Sequence, residues 1–161
     1  MKHLDVFPQA LTEVLGEIGF EKTTVTDSET PFGTSTEIIA SVGITGAMQG
    51  YMMLNASLES AKKFVDKMMY NIGMEIEEDG FGQFHKEAIG EMVNQFSGRS
   101  AMILHEMDNT DCNITPPTII TGNNIYADMT NLVASLSKEI KGDFGSVQIF
   151  IGIKDIFIKK I

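Results

Sequence analysis

The chain has 161 residues, 43% hydrophobic and 21% charged, with a formal net charge of -10 and a pI of about 4.6. That balance describes one soluble globular domain, 1–161, with enough chain for a substantial core, and it argues against an electrostatic grip on nucleic acid or anionic lipid. No run approaches the ~18–20 apolar residues of a membrane span and no signal-type stretch opens the chain, so the cytoplasm is the expected compartment.

Leu4 to Phe20 reads as an amphipathic helix, with Val6, Phe7, Ala10, Leu11, Val14, Leu15 and Ile18 spaced for one face. Pro8 is tolerable near its first turn and Gly19 is placed to end it. Glu21 to Gly33 starts as a short strand, Lys22-Thr-Thr-Val-Thr, and becomes a loop before Pro31. A hairpin follows: Thr36–Thr45 and Ala47–Asn55 around Gly46. Its second strand is nearly all apolar and bears Gly50, which predicts a central position with a neighbour packed closely against it. Ser57 is the expected N-cap of a helix over Leu58–Tyr70. Gly73 to Gly80, with its Glu77-Glu78 pair, is a solvated connection.

A long helix is then predicted from Phe81 to Met107. Turning about 100° per residue, Ala88, Ile89, Met92, Phe96, Ile103 and Met107 share an apolar face, and Glu87, Glu91, Asn94 and Gly98 share the opposite strip. Asp108-Asn-Thr-Asp111 stops it. Beyond lie extended pieces, Cys112–Thr115 and Thr118–Thr121, separated by Pro116-Pro117. Gly122–Asn124 reads as a turn. Two more strands, Asn131–Ser137 and Gly145–Lys154, form a hairpin through Lys141–Asp143. The apolar run Val147 to Ile153, continued by Ile156, Phe157 and Ile158, suits the core better than an edge. The order is a loose internal duplication with no repeated motif visible. The fold class is α+β, an antiparallel-rich sheet with long helices packed on one face.

Little conventional chemistry is on offer. Cys112 is the single cysteine, read as a buried thiol, and excludes an intramolecular disulfide. His85 and His105 stand about 30 Å apart by helical rise and His3 is remote, so no metal site is expected. Phosphate loops and nucleophile elbows are absent, and Asp143-Phe-Gly145 has no kinase companions. That leaves Glu91 and Asn94, side by side at i and i+3 on a rigid element. A carboxamide orients water with its oxygen and donates with its NH2, and a carboxylate one turn away pairs with a cation. On spacing alone a solvated polar stripe is the better account of the pair, and Glu106-Met-Asp-Asn109 shows how easily the spacing arises. Gly90 and Gly98, each costing about 1 kcal/mol against alanine in a helix, suggest close access to that surface.

The constellation is wider than the pair. Glu87, Glu91 and Asn94 lie within Glu-Ala-Ile-Gly-Glu-Met-Val-Asn-Gln-Phe-Ser-Gly and are followed, after twenty-two intervening residues, by Pro117, and the Val42–Leu54 hairpin precedes them. In these features and in element order the chain resembles the CheC/CheX/FliY group of bacterial chemotaxis phosphatases, with CheX the nearest pattern. Glu87 stands where that group has aspartate or serine. The comparable stretch of the first helix, Glu13-Val-Leu-Gly16, has glycine in place of the amide, which implies one site per chain. The resemblance implies hydrolysis of the phospho-aspartate of a CheY-type response regulator in two-component signalling. Asn94 would orient the attacking water, Glu91 pair with the regulator's lysine, and Glu87, Gly98 and Pro117 contribute to binding. It implies no cofactor of the chain's own, Mg2+ in the partner, and a homodimer. A scaffold that binds receivers without turnover is the alternative, and a small-molecule sensor a more distant one.

Overall fold

The computed structural model describes residues 3–20, 23–29, 34–76, 80–127 and 130–156. Lys22, Pro31, Gly33, Glu77, Glu78, Phe157 and Ile158, which figure in the readings above, lie outside the described residues. The elements in chain order are α1 (Val6–Glu17), β1 (Thr24–Asp27), β2 (Thr36–Gly46), β3 (Met48–Ala56), α2 (Leu58–Asn71), α3 (Gln83–Asp108), β4 (Cys112–Ile114), β5 (Thr118–Ile125), β6 (Ala134–Gly142) and β7 (Gly145–Ile156).

Alternation builds the sheet. Ile38, Ala40, Val42 and Ile44 of β2, Met52, Leu54 and Ala56 of β3, and Val147, Ile149, Ile151 and Ile153 of β7 are buried on one face with the apolar sides of the helices. The strands run β1-β6-β7-β3-β2-β4, all antiparallel, with β5 also on β2 beyond β4. The antiparallel sheet with helices on one face is the α+β arrangement expected. On the other face Ile39, Met53 and Phe150 form a smaller cluster, covered by Ile125, Ala127 and Leu132.

β3 is central, as its glycine predicted. A Cβ at Gly50 would collide with the Gly152 carbonyl oxygen and lie 3.0 Å from Ile153 Cα, and the β3–β7 register shifts at that point. β7 lies between β6 and β3, so Val147 to Ile153 belongs to the core.

The duplication has more sequence behind it than the residues alone reveal. Met52 faces Ile151, flanked by Tyr51–Gly152 and Met53–Phe150, so exchanging β3 with β7 reproduces the register. Under that exchange Gly46-Ala-Met-Gln49-Gly-Tyr51 overlies Gly145-Ser-Val-Gln148-Ile-Phe150. Both leading glycines have left-handed backbones, φ +94 and +100. So few shared positions become visible only once the register is known.

Besides shifts of a few residues at the ends of α1, β1 and α3, three boundaries in the second half differ from the sequence reading. Gly122–Asn124 are not a turn: Thr121 pairs with Ile38 and Ile125 with Thr36, so the three residues bulge opposite Glu37 inside β5. β6 starts at Ala134 and runs to Gly142, because Ile140 is fully buried and Asn131 sits in a left-handed conformation before it. The hairpin turn is therefore Asp143-Phe144 alone, closed by Gly142–Gly145. On α3 the buried seam runs through Ile89, Met92, Val93, Phe96 and Leu104, while Ala88, Ile103 and Met107 are half-buried at its margins. Packing on the sheet as well as on α1 rotates the buried arc away from the one the apolar spacing suggested.

Two helix ends matter for the site. Helix α1 closes with a Schellman motif: the Phe20 N–H reaches Leu15 O (2.9 Å), the Gly19 N–H reaches Gly16 O (3.2 Å), and Gly19 has φ +85. Helix α2, capped at its start by Ser57 accepting the Ser60 N–H at 3.0 Å, ends the same way through Met74 to Met69 O and Gly73 to Tyr70 O. Asn71 Nδ2 then donates to both Ile18 O and Gly19 O at 3.2 Å. The two ends are tied to each other.

Candidate active site

Helix α3 carries the candidate residues because one side of it is sealed and the other is not. Ile89, Val93 and Phe96 are fully buried. Ser97 and Ser100 return their hydroxyls to the Val93 and Phe96 carbonyls (both 2.8 Å), which lets small polar residues lie in the seam. Near the helix start, His85 Nδ1 accepts the Gly82 N–H (3.2 Å) and its Nε2 lies 2.9 Å from Asp66 Oδ1. Lys62 Nζ, 2.6 Å from Asp66 Oδ2, completes this link to α2. Burial works to raise the Asp66 pKa, but the hydrogen bonds from Lys62 and His85 prevail and hold the carboxyl below its ordinary value.

Glu87, Glu91, Asn94 and Gly98 are all exposed, on the strip of about 60° that helical spacing assigns them. Glu91 accepts a hydrogen bond from Gln95 at 3.3 Å and Glu87 a long one from Gln83 at 3.5 Å. Neither carboxylate has a cation within ion-pair distance among the described residues. Asn94 points its amide to solvent with no hydrogen bond among the described residues. A Cβ on Gly98 would meet nothing within 4 Å among the described residues, so none of them requires that glycine.

Pro117, remote in sequence, is brought to the same helix. The hypothetical Cβ of Gly90 lies 3.5 Å from Pro117 Cγ and 3.0 Å from Ile119 Cδ1. Gly90 is thus the contact where the β4–β5 connection rests on α3, a role that sequence reasoning left unassigned. The connection is held by Thr115, whose Oγ1 accepts the Gly43 N–H (2.7 Å) and whose own N–H donates to Gly43 O (3.0 Å). By helical angle, Gly90 and Pro117 lie on the Asn94 side of the strip.

The counterpart on α1 is differently equipped. Gly16 has no side chain, and Glu13 lies 3.5 Å from Arg99, whose guanidinium also holds both Glu17 oxygens at 2.7 and 2.8 Å. The Glu17 hydrogen bond raises the Arg99 pKa above its ordinary value. Sequence reading missed Arg99, since an arginine one turn from the site carries no local signal of a partner on α1. Cys112 is half-buried, and burial pushes its thiol up, away from nucleophilic use. No cluster of three or more metal-binding side chains, and no helix long and apolar enough to cross a membrane, occurs among the described residues.

A continuous antiparallel sheet, backed by helices and presenting an outward Glu-x-x-Asn on the longest of them, is an architecture with known relatives. Residues 38–141 match the family model described as chemotaxis phosphatase CheX, and the chain belongs to that family. It is 33% identical over 99 residues to the CheY-P phosphatase CheX of Thermotoga maritima, a match covering 62% of this chain and 61% of that relative. Among solved structures it is similar to a chemotaxis protein CheX from Desulfovibrio desulfuricans (TM-score 0.74, 20% identity, 95% of this chain and 99% of that one). It is equally similar to a chain of the CheX–CheY–BeF3–Mg2+ complex from Borrelia burgdorferi (TM-score 0.74, 19% identity, 95% and 98%). These two likenesses establish the fold.

Proposed function

We propose that this chain is a protein phosphatase that accelerates hydrolysis of the phospho-aspartate in a CheY-type receiver domain. The observation that carries the reading is the exposed strip of α3: an amide and a carboxylate on a rigid helix, with no cation and no backbone group engaging them among the described residues. Membership of the CheX family supports it, as do the CheY-P phosphatase name of the Thermotoga relative and the CheX–CheY complex among the fold neighbours.

In this mechanism Asn94 enters the receiver's phosphorylation pocket. Its carboxamide oxygen accepts from a water in line with the phosphorus, and its NH2 donates to an oxygen of the phosphoryl group. The water attacks phosphorus, the bond from phosphorus to the aspartyl oxygen breaks, and inorganic phosphate leaves behind a free receiver carboxylate. Positioning and charge stabilisation dominate such a step, so no nucleophile from this chain is needed. Glu91 pairs with the receiver's lysine, and Mg2+ is the receiver's. Gly98 admits the receiver's loops and Pro117 fixes the flank of the strip. A homodimer is part of the proposal. Among the described residues, β1 and the β4–β5 edge are strands with a side left open.

The test is phosphate release from phosphorylated CheY-type receivers. The wild-type chain accelerates it, Asn94→Ala reduces the acceleration about 100-fold, the scale of losing an oriented hydrogen-bonding group at a reacting centre, and Glu91→Lys acts mainly on KM. Full activity in Asn94→Ala would refute the mechanism. Binding without acceleration would instead identify a receiver scaffold.

A further inference from the structure

The flank of the strip opposite Pro117 is hollow. A groove of about 450 Å³ opens there between α3 and the tied ends of α1 and α2. Phe84, Ala88 and Met92 line it from α3, Met69 and Ile72 from α2, and Ile18 from α1. Glu87, Glu91 and Gln95 form its rim. Ile72 is 56% exposed and Met74, just beyond it, 51%. Scattered apolar side chains on a surface need no explanation, but these adjoin a hollow whose lip is the candidate active strip. The groove is preformed, because the Asn71 bonds to Ile18 O and Gly19 O lock two of its walls together.

Its position limits what fills it. Ala88 and Glu91 are neighbours three residues apart on the helix, with Cβ atoms about 5–6 Å apart. A protein that receives Asn94 into a pocket and pairs with Glu91 therefore reaches the rim of the groove. The rim is dominated by acceptors: beside the Gln95 amide, already donating to Glu91, it carries two carboxylates without a cation among the described residues, on a chain of net charge -10. A second copy of this chain docked symmetrically would set that rim against itself, like charge on like charge.

We infer that the groove takes an apolar side chain of the phosphorylated receiver, borne next to a lysine or arginine that pairs with Glu87, and that this contact selects which receiver the protein accepts. The inference rests on the proposed function and assigns Glu87 a role separate from that of Glu91. The methionine-bearing wall suits it, since thioethers adjust to the shape of an incoming side chain.

The experiment uses the full chain and a panel of CheY-type receivers, activated with beryllofluoride and Mg2+ for binding and phosphorylated with acetyl phosphate for turnover. Ile72→Lys and Ala88→Lys should each weaken binding about tenfold or more, the scale of a contact residue that anchors an interface. KM should rise in step, with kcat at saturation within about twofold, because uniform binding is what is lost. Val133→Lys, the same charge change at a site 63% exposed and away from α3, should leave Kd unchanged. Ile72 is exposed enough that its variant keeps the fold even where Ala88→Lys does not. Kd within twofold of wild type for a folded Ile72→Lys overturns the inference and leaves the phosphatase reading intact. A wild-type chain that neither binds nor dephosphorylates any receiver overturns both.

Discussion

At the scale of single residues, two glycines on the same helix, Gly90 and Gly98 of α3, serve opposite ends. Gly90 is occupied from within: Pro117 and Ile119 lie where its side chain would be. Gly98 is open, and its only cost to this chain is the helical entropy that glycine forfeits. Gly98→Ala should therefore raise stability by about 0.5–1 kcal/mol in urea unfolding. Gly98→Trp should fold normally yet raise KM for a phosphorylated receiver several-fold, because the bulk stands one turn beyond Asn94. Equal turnover by the tryptophan variant and wild type would remove Gly98 from the docking surface.

At the scale of elements, α3 is held from both sides by polar side-chain contacts. Arg99 ties it to Glu13 and Glu17 of α1, and His85 with Asp66 ties its first turn to α2. The Asp66 carboxyl is held below its ordinary value of 3.8 by Lys62 and His85 against the opposing effect of burial. A depressed carboxyl lends stability that is fully present above the unfolded value and is lost as pH falls through the lower folded value. Urea midpoints should thus drop as the pH falls below the unfolded value of 3.8, and Asp66→Asn should flatten that dependence while lowering stability at pH 7. An unaltered slope in the variant would show that other carboxylates carry the acid limb. Much at this scale was legible in the sequence. The α1 face, the Ser57 cap and the β2–β3 hairpin follow from local periodicity and turn chemistry. The buried arc of α3 and the bulge in β5 do not, because each is decided by a partner far away in the chain: the sheet beneath α3, and Glu37 opposite Gly122–Asn124. The same division holds for the site. Glu91 and Asn94 are neighbours by helical geometry alone, whereas Pro117 entered only through the family resemblance. The groove required the ends of three helices to meet, which no local pattern encodes.

At the scale of the whole molecule, the sheet depends on the seam between β3 and β7. Gly50 meets the backbone of Gly152 and Ile153 there, and neither can rotate away. Gly50→Ala should cost about 3 kcal/mol, the upper part of the range for overpacking a core, read as a lowered urea midpoint. A loss below 0.5 kcal/mol would mean that the two strands part easily.

The strand order has a further consequence, for how the chain reaches this state. The segment before α2 supplies β1, β2 and β3, and the segment after α3 supplies β4 to β7. Yet β1 lies against β6 of the later segment, and β4 and β5 lie against β2 of the earlier one. Each half lends its outer strand to the other. Neither half carries a finished sheet, so the first half emerging during synthesis leaves β2 open along one side until residues beyond 112 arrive. Contacts so distant in sequence favour slow, late closure of the sheet over rapid local collapse. Until it closes, the surface that α3 presents has no base to stand on.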